Sequence, residues 1–202
     1  QGDLRQDPFS KEIIASLLAY LEGAGAERRP YQAPLSYRII PQILAQVLKA
    51  TREAETVAAQ SLSSVTDNPI YLPPDARFPK GRCISNGGFH NAAATTALDG
   101  LTAAWADLCL LSERHAVGLL NGTISGLPHW LPTGDGFEPF RYVPWAILGL
   151  AEQARTAAQR TLLPPGEGAG YGQTDMASPV FLAWEKSERA GRCLDAALAS
   201  LA

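Results

Sequence analysis

The sequence predicts an all-α fold, an elongated antiparallel helical bundle with long ordered loops. Three observations carry that expectation. Apolar residues recur at steps of three and four over several long stretches. Proline and glycine gather in three separate segments between those stretches. One of the stretches is too long and too apolar for a chain of 202 residues to cover alone.

The first helix is expected over residues 11–22, capped by Ser10, with Ile13, Ile14, Leu17, Leu18 and Leu21 on one stripe and Gly23 ending it. A polar, proline-containing link over residues 26–34 leads to a longer helix over residues 36–61. There Ile40, Ile43, Leu44, Val47, Leu48 and Ala54 form the apolar stripe, while Lys49, Arg52, Glu53 and Glu55 mark the solvent side. Pro41 falls within its first turns, where a missing N–H costs least. Over residues 63–88 the helical pattern stops at Asn68-Pro69, Pro73-Pro74, Pro79 and Gly87-Gly88. A loop of that length inside a domain has a function or is pinned by its neighbours, and Ile70 to Leu72 could form a short strand in it.

Residues 91–120 then read as a buried helix, with Leu98, Leu101, Trp105, Leu108 and Leu111 at helical spacing and many Ala and Thr for close packing. A second loop covers residues 122–139. The next helix, over residues 140–163, carries Val143, Trp145, Ile147 and Leu150 and is ended by Pro164-Pro165-Gly166. After a third loop over residues 167–177, Ser178 caps a last helix with Pro179 at its first position. The count is five helices. The apolar faces of the third and fourth are expected to be buried between subunits of a dimer or tetramer.

A net charge of −3 without a Lys or Arg cluster excludes nucleic acid and an anionic membrane surface as partners. No run approaches the roughly 18 apolar residues of a membrane span. Cys83, Cys109 and Cys193 are odd in number and form no CxxC pair, which predicts reduced thiols and a cytoplasmic location. His90, His115 and His129 do not fall at metal-ligand spacing, so no metal site is expected.

Several strings, in order, carry a specific likeness: Gln32-Ala33-Pro34-Leu35-Ser36-Tyr37-Arg38 running into Pro41-Gln42, Thr66-Asp67-Asn68-Pro69, Ser85-Asn86-Gly87-Gly88-Phe89-His90, Leu111-Ser112-Glu113-Arg114 followed by Ser125-Gly126-Leu127-Pro128, and Gln173-Thr174-Asp175-Met176-Ala177-Ser178. Together they resemble the C-terminal helical half of the histidine and phenylalanine ammonia-lyase family. Gln6-Asp7-Pro8-Phe9-Ser10 looks like the active-site string too, but Arg38 and Pro41-Gln42 belong to the later copy.

The resemblance implies that residues 1–202 form one C-terminal helical domain whose N-terminal, cofactor-bearing counterpart lies elsewhere. The family eliminates ammonia from an amino acid with a methylidene-imidazolone made from an Ala-Ser-Gly tripeptide, which this sequence lacks. The cofactor is therefore expected only on a partner chain or a missing segment, in a homo- or hetero-oligomer acting on an amino-acid-like small molecule. Arg38 matches the carboxylate-binding arginine, at a helix start that favours an anion. Gln32, Gln173 and Phe89 match pocket positions, Phe89 against the substrate ring. Ser36 matches one as well, though it reads equally as a helix cap. Three positions depart from the pattern: Ala33 stands for an Asp, Leu35 for a Tyr that takes part in proton transfer, and Thr174 for a Glu near the substrate amine. His90 reads as a packing histidine, and Glu113 with Arg114 as interhelix ion pairing in a tetramer core. Two functions follow from the likeness: one part of an ammonia-lyase or aminomutase, or a lyase-derived homologue that catalyses another reaction or serves as a scaffold.

Overall fold

The computed structural model describes residues 6–25 and 32–202. Most of the expected link over residues 26–34 lies outside them. Five long helices make the bundle: α1 (Pro8–Tyr20), α3 (Ile40–Ser63), α4 (Ala92–Leu120), α6 (Val143–Ala157) and α8 (Val180–Ala199). Short turns α2 (Leu35–Arg38), α5 (Gly122–Ser125) and α7 (Ala169–Gly172) sit between them, with a 3-10 turn at Gly88–His90. Two small antiparallel hairpins, β1 (Ile70–Leu72) with β2 (Arg82–Ile84) and β3 (Pro165–Gly168) with β4 (Thr174–Met176), occupy loops. The short strand expected at Ile70 is present and pairs with Ile84.

Successive long helices run in opposite directions. Arg52 of α3 meets Glu12 of α1, Ser61 at the end of α3 meets Asn91 before α4, and Thr161 beyond α6 meets Asp99 near the start of α4. α4 is the central rod, packed by α3, α6 and α8. Its buried residues, among them Thr95, Leu101, Thr102, Cys109, Ser112 and Ala116, lie all around its circumference.

The core is built from small side chains. Ala151, Ala154 and Ala157 of α6 and Ala183, Ala190 and Ala197 of α8 recur at helical steps against α4, with Ile147 the largest side chain that is fully enclosed. Small residues at the contact let helix axes approach closely. Gly191 shows how tightly: a Cβ there would sit 3.2 Å from the Trp105 ring.

Several expected boundaries move. Asp7, not Ser10, caps α1, accepting from the backbone N–H of Ser10 at 2.8 Å, so the helix starts earlier. The expected helix over residues 36–61 is two, because Pro41 offers no N–H to the preceding turn and the chain steps out at Ile39 (φ −98, ψ 2). The helix expected over residues 140–163 ends at Ala157. The Asp99 carboxylate draws both the backbone N–H and the hydroxyl of Thr161, at 2.6 and 2.7 Å, out of helical geometry. Ser178 does not cap α8; its hydroxyl donates to His90 O at 2.7 Å. Within the chain Glu113 and Arg114 pair with each other along α4, and Glu113 is the buried member.

Candidate functional site

Among the sequence-predicted residues, Gln32, Leu35 and Arg38 lie together around α2. Pro34 opens that turn, which precedes α3 and packs on α4. Arg38 is exposed and its Nε donates to Ala33 O at 3.1 Å, which fixes the guanidinium and leaves both Nη atoms without a bond among the described residues. The guanidinium edges an apolar hollow of about 470 Å³ lined by Leu17, Leu18, Leu21 and Ile40. Leu35 is 60% exposed and faces a different hollow, shared with Ile39, Asp107 and Arg114.

Two residues that sequence reasoning passed over brace α2. Tyr37 stacks on His115 of α4 with ring centroids 4.7 Å apart, and His115 Nε2 meets Ser36 O at 3.1 Å. Gly118 makes room for the phenol, since a Cβ there would come within 2.5 Å of the Tyr37 hydroxyl. Positions 35 and 37 point to opposite sides of a helical turn. The phenol of Tyr37 is therefore packed against α4, and it does not stand in for the one absent at Leu35.

At the other end of α4, Phe89 sits 59% exposed in the 3-10 turn. An asparagine ladder holds that turn: Asn68 Oδ1 accepts from the backbone N–H of Asn86 at 2.8 Å, Asn86 Nδ2 donates to Asp67 O at 2.8 Å, and Asn86 Oδ1 accepts from Gly88 N at 2.7 Å. Two of the sequence strings are thus one local structure. His90 Nε2 meets Ala177 O at 3.2 Å, tying the turn to the segment after β4, so the packing role expected for His90 holds. Gln173 and Thr174 are both exposed on the β3–β4 hairpin that precedes that segment.

The six expected pocket residues therefore form two groups. Gln32, Leu35 and Arg38 lie at the His115 end of α4, and Phe89, Gln173 and Thr174 at the Asn91 end. The intervening residues of α4 rise about 1.5 Å each, which puts about 36 Å between the groups. One small substrate cannot touch both groups of one protomer. Among the described residues no cluster of His, Cys, Asp or Glu could hold a metal ion. No described helix is long and apolar enough to cross a membrane.

Known proteins share the sequence and fold of this chain. The chain is 35% identical over 157 residues to a histidine ammonia-lyase of Deinococcus radiodurans, an alignment covering 72% of this chain and 29% of that protein. It is 34% identical over 138 residues to the histidine ammonia-lyase of Aromatoleum aromaticum, covering 66% and 25%. The chain thus spans less than a third of these relatives. Its fold matches the crystal structure of histidine ammonia-lyase from Trypanosoma cruzi, with a TM-score of 0.76 at 22% identity over 98% of this chain and 37% of that one. Phenylalanine ammonia-lyase from Rhodosporidium toruloides gives 0.75 at 20% identity, over 96% and 29%. The family model for the aromatic amino acid lyases matches residues 2–193. This chain belongs to the aromatic amino acid lyase family.

Proposed function

We propose that the chain is the C-terminal helical half of an ammonia-lyase or aminomutase acting on a histidine-like aromatic amino acid, with residues 1–202 as one domain. The observation that carries this reading is Arg38: an anchored guanidinium, with both Nη atoms unbonded among the described residues, on the rim of an apolar hollow. That is the geometry for a bidentate pair with a carboxylate whose body is apolar. Phe89 offers its exposed ring to the substrate ring, and Gln32, Gln173 and Thr174 offer polar edges.

Because the two groups stand about 36 Å apart along α4, a whole site takes Arg38 from one protomer and Phe89 from another, which makes the working unit an oligomer. The electrophile that activates the substrate for loss of its amine is not formed within these residues, as no Ala-Ser-Gly occurs in them. It belongs to a chain or segment outside the 202 residues, and the present residues bind and orient.

Leu35 favours a second reading, a lyase-derived homologue that catalyses another reaction or serves as a scaffold, because the hydrocarbon at that position moves no proton. The two readings separate in one experiment on the native assembly. Substituting Arg38→Gln should raise KM for the aromatic amino acid about 100-fold, the loss of about 2.7 kcal/mol of charge-assisted hydrogen bonding. Mass spectrometry of every co-purifying chain should find one lighter by the waters lost in forming the electrophile. An assembly with no such chain and no ammonia release supports the scaffold reading instead.

A further inference from the structure

Apart from the residues of the elimination site, one hollow carries its own chemistry. It measures about 310 Å³ and lies where α4 and α8 begin, with His90, Thr95, Thr96, Arg160, Leu162 and Leu163 in its wall. That volume is within the range of small-molecule sites.

The two helix starts converge here because Ser178 and Ala177, just before α8, bond to His90, just before α4. Neither helix has a side-chain cap on its first-turn N–H groups. Both starts therefore bring the positive ends of their helix dipoles to the same region. Arg160, exposed beyond the end of α6, makes no ion pair or hydrogen bond among the described residues. Asp99, which bonds to the neighbouring Thr161, is already committed to it and to Lys186.

A buried side chain points independently to a ligand. The hydroxyls of Thr51, Thr56, Thr102 and Thr156 each donate to the carbonyl four residues earlier, as helical threonines do. Thr95, only 7% exposed, has a buried hydroxyl without any partner. Such an orphan destabilises the fold unless something answers it. Thr95 lines the hollow, and helical threonine has two accessible χ1 rotamers with which to meet an acceptor bound there.

We propose that this hollow binds the carboxylate of a small organic acid, gripped by Arg160 and Thr95 at the converging starts of α4 and α8. Leu162 and Leu163, 73% and 51% exposed, cover the apolar remainder of the ligand. Those walls are why the ligand is an organic acid and not a bare oxyanion, which would leave them wet.

Benzoate is the probe, titrated calorimetrically into the full chain in its native assembly. Saturable binding is expected, weakened at least tenfold by Arg160→Gln and several-fold by Thr95→Val. Thr95→Val should leave the melting temperature unchanged or raised, which a structural hydroxyl would not do. Arg38→Gln should leave one benzoate site per chain, which separates this hollow from the elimination site and keeps the result independent of any lyase activity. Absent binding, or binding indifferent to Arg160→Gln, overturns the proposal. Displacement of benzoate by an equal concentration of inorganic phosphate overturns its assignment to organic acids.

Discussion

Lys186 is the residue on which three helices depend. Its ammonium donates to Thr161 Oγ1 at 2.6 Å and to Gln159 O, and lies 3.5 Å from Asp99 Oδ1, with both charged side chains largely buried. Removing the cation leaves a carboxylate in low dielectric with only Thr161 to answer it. Lys186→Met should therefore cost about 3 kcal/mol in thermal or urea unfolding, and adding Asp99→Asn should recover part of that loss. Equal losses that simply add would show that the pair is not coupled. Cys109 sets a second residue-scale expectation. Burial, with nearby Cys193 adding to it, pushes its thiol up to about 11 from an ordinary 9.0. The folded pKa is the higher one, so this contribution to stability is whole below pH 9 and drains away as pH rises toward 11. Unfolding followed over that window should show the loss, and Cys109→Ala should flatten it. Over the same range the exposed Cys83 should react with thiol reagents while Cys109 stays protected.

At the scale of elements, Pro41 decides where Arg38 points. It breaks what would be one helix into α2 and α3, and the step at Ile39 turns Arg38 toward Leu17 and Leu21. Pro41→Ala restores a donor and should extend α3 back through α2. Hydrogen exchange at the amide of Ile40 would slow and, on the proposed function, KM for the aromatic substrate would rise as the guanidinium swings from the groove. Unchanged exchange there would mean that Tyr37 and His115 hold the break instead. The long helices were legible because three-and-four spacing is a local property, as with Ala151, Ala154 and Ile147 on α6. Their ends were not, where a distant partner fixes them: α6 stops at Ala157 because Asp99, 62 residues away in sequence, takes Thr161. The candidate site was legible as a set of strings and illegible as a geometry. Nothing local in Gln32 to Arg38 says that Phe89 stands at the far end of α4. Tyr37 was overlooked because its role rests on His115 and Gly118, neither near it in sequence.

Across the described residues small side chains dominate the core, while several of the largest apolar ones lie outside. Alanine, serine, threonine and cysteine fill the contacts between helices, while Trp145, Phe181 and Trp184 are 72%, 79% and 60% exposed on the outer faces of α6 and α8. Large apolar surface outside and small residues inside mean that the bundle closes tightly on itself and still leaves much hydrophobic area in water. At about 25 cal/mol per Å² that area is a strong drive to associate. If the oligomer proposed above forms through these faces, the Arg38 end of one α4 meets the Phe89 end of another there, and stability and site completion share one interface. The double substitution Trp145→Glu with Trp184→Glu should therefore dissociate the assembly, read by sedimentation velocity, while far-ultraviolet circular dichroism keeps its helical signal because neither ring belongs to the buried core. On the proposed function, elimination activity should fall with the assembly and not with helicity. If the charged variant keeps the native sedimentation coefficient, these faces are solvent surface, and Arg38 and Phe89 do not meet across them.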